Sequence, residues 1–503
     1  MNGPGSSPPS ESGLKYAPGV GPRRRSDRER PLAPLEWVTL LHVGLLVVGV
    51  TWAFGGQADW VRLPIAWWAS LSVLILLTAV QDRGAWREGH LHPLRWLWPL
   101  GAFNGLVLLA CLNPSVRELS FGGETVLAHT GGWKWWPSSA RPALAVEALW
   151  LFDALWLSAF NLAVVVRQRR ALRGLVLVLV ANALVLSVFG TVQKLAHAQG
   201  LYFDAVRSPQ PRFFASFVYH NHWGAFTVLM MTACVGLTWH YSRRLQTRGL
   251  LHSPLLAGWV ALLLLAATLP LSASRSCTLL GLFLLGFVSS HLLWRMIQRR
   301  RSYKESIALP VAGIAAGGLL VLGGGWYVGR DTIVARLQTT QSQVAEMREL
   351  GGIGDRALLY RNTWRMAAAK PWFGWGMASY PHVFYRFYNT RQSPDRLPVF
   401  YHDAHSDWLQ ALAEHGFLGS AFLALCALVP LARLGLRSSP GAFSGYLLVG
   451  CGLILLYAWV EFPFGNLAVV LTWWVLYFSA VQSARLRLRE EGGGSATAGR
   501  REG

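Results

Sequence analysis

Apolar runs of about twenty residues recur along the chain, each closed by a short polar or basic segment. They can be placed at 35–54, 64–80, 96–112, 147–166, 174–193, 218–239, 255–271, 276–294, 307–328, 417–433, 443–461 and 465–482. A helix rises about 1.5 Å per residue, so such runs can cross about 30 Å of hydrocarbon. The pattern predicts an all-α fold, a polytopic membrane helical bundle of about twelve transmembrane helices. One polar stretch, 329–415, is too long to be a simple connector. The organisation expected is a disordered tail at 1–34, a bundle of about nine spans at 35–328, a helical loop at 329–415, three closing spans within 416–483, and a second disordered tail at 484–503. Residues 1–34 are rich in Pro, Gly, Ser and Arg and have no apolar h-region before Leu35, so they do not read as a cleaved signal peptide.

Composition agrees with a lipid environment: 53% of residues are hydrophobic, 14% are charged, and 25 are Trp. Lys and Arg then set the orientation, because short basic loops stay on the cytoplasmic side. With twelve spans and the first tail inside, 28 of the 46 basic residues fall inside, and the long loop alone carries ten of the other 18. Both termini are therefore expected in the cytoplasm and the 329–415 loop outside. The formal charge of +21 follows from this bias and from anionic lipid headgroups, so membrane lipids and not nucleic acid are the partners it implies. Cys111, Cys234, Cys277, Cys426 and Cys451 lie in or beside apolar runs without paired spacing, and read as small buried hydrophobes.

This topology puts four polar motifs on one side: PRFFASFVYHNHW (211–223), SASRS (272–276), the 329–415 loop and EFPFG (461–465). Arg275 sits at a tight junction between two spans, where its forked donors suit phosphate oxygens or, alternatively, snorkel to headgroups. Arg212 precedes Tyr219-His220-Asn221-His222-Trp223. There His222 and Asn221 suit substrate or structural hydrogen bonds, and Trp223 reads as part of an aromatic belt.

In the long loop, helical spacing predicts an amphipathic helix over 331–350 and a second helix from Asp355 that must stop near Lys370, before Pro371. The second helix carries Arg356, Arg361 and Arg365. Gly374 and Gly376 follow in a tight turn. A third helix begins near Asp403 or Ser406 and reaches Gly416. Asp407, Gln410 and Glu414 form a polar stripe along it, with His405 off the stripe near its start. His405 can be a general base for an alcohol, one ligand of a His402-Asp403-x-His405-x-Asp407 metal site, or a structural histidine; spacing leaves the three open.

The run GDRALLYRNTWRMAAAKPWFGWGMASY followed by AHSDWLQALAEHGFLG resembles the signature region of the O-antigen ligase and O-antigen polymerase (Wzy-C) superfamily. Arg356, Pro371, Gly374, Gly376, His405, Trp408, Leu409, Gln410, Glu414 and Gly416 stand at its pattern positions. SRS, the Asn221 segment and EFP add to the resemblance, which spans roughly 205–480. Ser406, often Asn in the family, and the His-rich YHNHW depart from it. The resemblance implies a GT-C-like glycosyltransferase of the bacterial inner membrane. Such an enzyme moves a glycan from an undecaprenyl-diphosphate donor to a hydroxyl acceptor at the periplasmic face, with inversion, without metal and without cofactor. Carried over by position, His405 is the implied general base and Arg212, Arg275 and Arg356 the implied diphosphate binders. Beside them, Asn221, His222, Arg361, Gln410 and Glu414 read as substrate or structural support.

The acceptor divides the readings: lipid A-core for a ligase, another repeat unit for an O-antigen, capsule or exopolysaccharide polymerase, a protein hydroxyl for an O-oligosaccharyltransferase. A non-enzymatic flippase for lipid-linked glycans is the alternative of a different class. A flippase would carry ionisable residues near the midplane, where Asp153 is the main acid.

Overall fold

The computed structural model describes residues 31–121, 124–129, 133, 136–244, 254–303, 355–388, 400–434 and 441–498, with a few isolated positions between 308 and 334. The expected span at 307–328 and the amphipathic helix at 331–350 lie outside the described residues. The other eleven expected spans each coincide with a helix. In chain order these are α1 (Pro34–Trp52), α2 (Asp59–Gln81), α3 (Trp98–Cys111), α4 (Pro142–Val165), α5 (Arg169–Leu195), α6 (His220–Arg244), α7 (Pro254–Leu271) and α8 (Arg275–Tyr303). After α9 (Asp355–Ala369) come α10 (Asp407–Ala432), α11 (Gly441–Tyr457) and α12 (Leu467–Ala498). Among the described residues nine helices are long and apolar enough to cross a membrane. The fold is an all-α polytopic membrane bundle.

Proline at the first turn starts α1, α3 and α4, where its missing N–H costs no hydrogen bond. Outward faces are apolar: Trp37, Leu41 and Leu45 on α1, and Leu63, Trp67, Leu71 and Leu74 on α2, are exposed to where lipid would lie. The centre belongs to α6 and α12, which are buried along most of their apolar lengths. In lipid there is little hydrophobic gain from pairing helices, so close packing carries the association. Neighbours reach α6 at glycines: a Cβ on Gly224 would meet Cys277 of α8, one on Gly258 of α7 would meet Thr238, and one on Gly450 of α11 would meet Thr232. Cys234, Cys277, Cys426 and Cys451 are buried and all five cysteines are free.

Trp223 corrects one expectation. Its ring is fully buried instead of lying in a belt, packed against Phe214, Phe217 and Phe226, with Nε1 donating to Thr268 Oγ1 at 3.2 Å. The segment before α6 folds back over the helix start, a tertiary event that helix-end statistics do not contain. A second departure is an antiparallel hairpin between α3 and α4, β1 (Val116–Phe121) with β2 (Glu124–His129).

The two ends of the bundle differ in chemistry. At one end α12 meets the α2–α3 connection, with Arg489 Nη2 donating to Gly89 O at 2.7 Å, and Arg167 pairs with Asp82 at 3.0 Å. At the other end the starts of α6, α8, α10 and α12 and the close of α11 come together with α9.

Candidate functional site

The site end is organised by a helix break. Gly416 divides α10 at φ +63° and ψ −170°, a region open essentially to glycine. Past the break, Phe417 N donates to Pro371 O at 2.7 Å and Leu418 N to Trp372 O at 3.1 Å. The carbonyls this frees are taken up in turn: Trp375 N donates to Ala413 O at 3.0 Å and Gly376 N to Glu414 O at 2.8 Å. A four-bond lacing thus fixes the Pro371–Gly376 turn, and α9 with it, against α10. The Glu414 carboxylate adds to it by accepting from Ala378 N at 3.1 Å and Tyr380 N at 2.9 Å.

The other members of the polar stripe are also tied to backbone. Gln410 Oε1 accepts from Ala404 N at 3.0 Å, shaping the loop that carries His405. Ser406 caps the helix through Leu409 N at 3.4 Å. Asp407 Oδ2 accepts from Phe464 N at 2.9 Å, while its own N–H donates to Ala458 O at 3.0 Å. The Gln410 amide oxygen and both Glu414 carboxylate oxygens are thus engaged by backbone N–H groups.

The 458–466 turn is gripped from other sides too. His222, buried at the start of α6, lies with Nε2 3.2 Å from Phe462 O. Tyr360 Oη donates to Val460 O at 3.3 Å and to His405 O at 2.9 Å. Asn221 accepts from Ser274 Oγ at 2.6 Å and donates to Tyr219 Oη at 2.9 Å, clasping α6 to the SASRS turn.

Glu461 stands at the centre. It is 2% exposed. One oxygen pairs with an Arg356 guanidinium nitrogen, and Arg356 Nη1 also donates to Val460 O at 3.3 Å. The other oxygen lies 3.5 Å from His405 Nδ1, a contact longer than a formed hydrogen bond. Burial pushes the Glu461 carboxyl up, but His405 and Arg356 outweigh it and hold the group below the usual range. His405 itself sits at φ +50°, uncommon for a residue with a side chain, with its ring edge-on to Phe462 at 4.8 Å.

The expected arginines separate. Arg356 is locked into the cluster yet keeps half of its side chain exposed, at 54%. Arg212, Arg275 and Arg361 are exposed, and among the described residues their side chains make no hydrogen bond or ion pair. Arg212 and Arg275 stand at this same end, beside the start of α6 and at the first turn of α8; Arg212 O accepts from His220 N at 3.2 Å. The 402–407 motif does not converge on one point, since Asp407 turns to Phe464 and His405 to Glu461. Among the described residues no three His, Cys, Asp or Glu side chains are grouped to hold a metal.

Glu461 was visible in sequence only as part of EFP. A carboxylate at the mouth of two closing spans was the signal that could have found it, because burial there demands a cationic partner.

Residues 260–424 match the family model of the O-antigen ligase. This bears out the resemblance over a narrower range than 205–480: it takes in Arg275, Arg356 and His405 and leaves out Arg212, Asn221, His222 and Glu461. No curated protein matches the chain.

Proposed function

We propose that this chain, a member of the O-antigen ligase superfamily, transfers a glycan from an undecaprenyl-diphosphate donor to a hydroxyl acceptor at the periplasmic face of the bacterial inner membrane. The observation that carries the reading is Glu461 holding Arg356 with one oxygen and facing His405 with the other. A carboxylate against Nδ1 favours the tautomer that keeps a proton there, which leaves Nε2 as base. Nε2 takes the proton of the acceptor hydroxyl as its oxygen attacks the anomeric carbon from the face opposite the diphosphate. The bond from that carbon to the diphosphate oxygen breaks, and the electron pair leaves with the phosphate. Inversion follows from this single displacement.

Negative charge on the departing diphosphate is met by the exposed part of Arg356, with Arg275 and Arg212 completing the binding surface. Three arginines supply the charge that a divalent ion would otherwise provide, which makes the transfer metal-independent. The polar groups of this end are laced to rigid helices, and that preorganisation fits a catalyst of group transfer better than a rocking transporter.

The test is transfer from a purified lipid-linked donor to lipid A-core or to a second repeat unit, with and without EDTA; the acceptor used separates ligase from polymerase. His405→Ala should lose about 10²–10⁴-fold in rate while still binding donor. Full activity in that variant would end the general-base assignment, and inhibition by EDTA would end the metal-free one.

A further inference from the structure

A cavity of about 350 Å³ lies at the end of the bundle opposite His405, between the His92–Trp96 turn, the close of α10 and the last turns of α12. Four guanidinium-bearing residues line it: Arg95, Arg433, Arg485 and Arg489. No carboxylate among the described residues lines it. The acids nearest in sequence are engaged elsewhere, Glu490 with Arg169 at 3.0 Å and Glu491 with Arg487 at 2.8 Å.

The cavity has a fixed wall and a free one. Arg485 Nη2 donates to Gly89 O at 2.9 Å and its Nη1 to Ala163 O at 3.4 Å, while Arg489 Nη2 donates to Gly89 O at 2.7 Å. These bonds hold two cations side by side against their mutual repulsion. Arg95 and Arg433 are exposed, and among the described residues their side chains make no hydrogen bond or ion pair. His92, Trp96, Leu434 and Leu488 complete the lining, so apolar surface adjoins the cationic rim.

We propose that this cavity binds the phosphate-bearing headgroup of an anionic phospholipid. Guanidinium forks match phosphate oxygens in pairs, and basic pockets between membrane helices accept such headgroups while neighbouring apolar side chains take the first carbons of the acyl chains. At about 30 Å³ per water, the volume holds on the order of ten waters, enough for a headgroup phosphate with room to enter. The site is independent of the transfer chemistry at the other end.

The experiment uses the full chain in detergent with cardiolipin as probe, and reads bound lipid by native mass spectrometry. The double variant Arg95→Gln with Arg433→Gln removes the free wall and spares Arg485 and Arg489. Arg83→Gln with Arg87→Gln is its charge-matched control, exposed near the same end but outside the cavity lining. The cavity variant should bind cardiolipin about 10- to 30-fold more weakly than wild type, the control should bind as wild type does, and excess inorganic phosphate should not displace the lipid. Equal weakening in both variants would reduce the effect to general surface charge and overturn the proposal, as would displacement by phosphate alone. Retained thermal unfolding in the cavity variant confirms that a loss of binding is not a loss of fold.

Discussion

His405 Nδ1 lies 3.5 Å from Glu461 Oε2, and the carboxylate that faces the ring is 2% exposed and paired through its other oxygen with Arg356. A buried acid held between a guanidinium and an imidazole has one arrangement that satisfies it, so a change on either partner is felt by the other. Glu461→Gln keeps the shape and removes the charge. We expect kcat to fall about 10²-fold or more, with KM for the donor changing little, because the amide no longer sets the imidazole tautomer. Steady-state transfer assays on the purified variant check this; unchanged kcat would mean that the pair is only a structural tie. The pH sign is also fixed. The folded carboxyl is depressed below the unfolded value, so the stability it contributes is present at neutral pH and is lost as pH falls through the folded pKa, below the ordinary glutamate range.

Arg356 and Arg275 separate on geometry. Arg356 is committed to Glu461 through a forked group, so Arg356→Lys should damage both donor binding and the placement of His405, lowering kcat and raising KM together. Arg275 has an exposed side chain without a partner among the described residues, so Arg275→Lys should raise the donor KM with a smaller effect on kcat. Titration of each variant with a lipid-linked donor distinguishes the two patterns. Wild-type kinetics in Arg275→Lys would return that residue to a membrane anchor.

Much of this site could be read from residue order because its rules are local. Pro371 stops α9, Gly416 breaks α10, and Ser406 caps it, each by a backbone constraint that acts within a few residues. The distant partners were not legible. Nothing in the spacing of Asp407, Gln410 and Glu414 says that each accepts from a backbone N–H, those of Asp407 and Glu414 belonging to distant segments, and a stripe of this kind reads equally as a solvated face. Trp223 was misread for a similar reason, since residues 213–217 cover it only once the chain has folded back. The β1–β2 hairpin carries one local signal, the Gly122-Gly123 pair between its strands, because the flanking residues do not alternate between apolar and polar.

The lacing around Gly416 predicts a stability effect that should leave the chemistry of His405 unaltered in kind. Alanine there must adopt φ +63° with ψ −170° and would place its Cβ against the Trp372 carbonyl carbon. Strain of about 1–3 kcal/mol adds to overpacking of similar size, so Gly416→Ala should lose on the order of 2–5 kcal/mol. Scanning fluorimetry in detergent should show a clearly lower unfolding midpoint. A variant as stable as wild type would mean that the turn shifts freely and that the four bonds contribute little.

The proposed periplasmic position of His405 can be tested through two exposed positions at opposite ends of the bundle. Ala368 is exposed on α9, which packs beside His405, and Arg83 is exposed at the end where Arg485 and Arg489 gather. Four native cysteines are buried and Cys111 is only partly accessible, so an introduced cysteine should dominate the reaction with a membrane-impermeant maleimide, with wild type as the background. Ala368→Cys should label in intact spheroplasts, and Arg83→Cys only after lysis. The asymmetry has a physical origin: Arg87, Arg95, Arg167, Arg169, Arg433 and Arg485 gather at the Arg83 end, and translocating that many cations across the bilayer is disfavoured. The reverse labelling pattern would invert the bundle and place the His405 end in the cytoplasm, where an acceptor on the outer leaflet could not reach it.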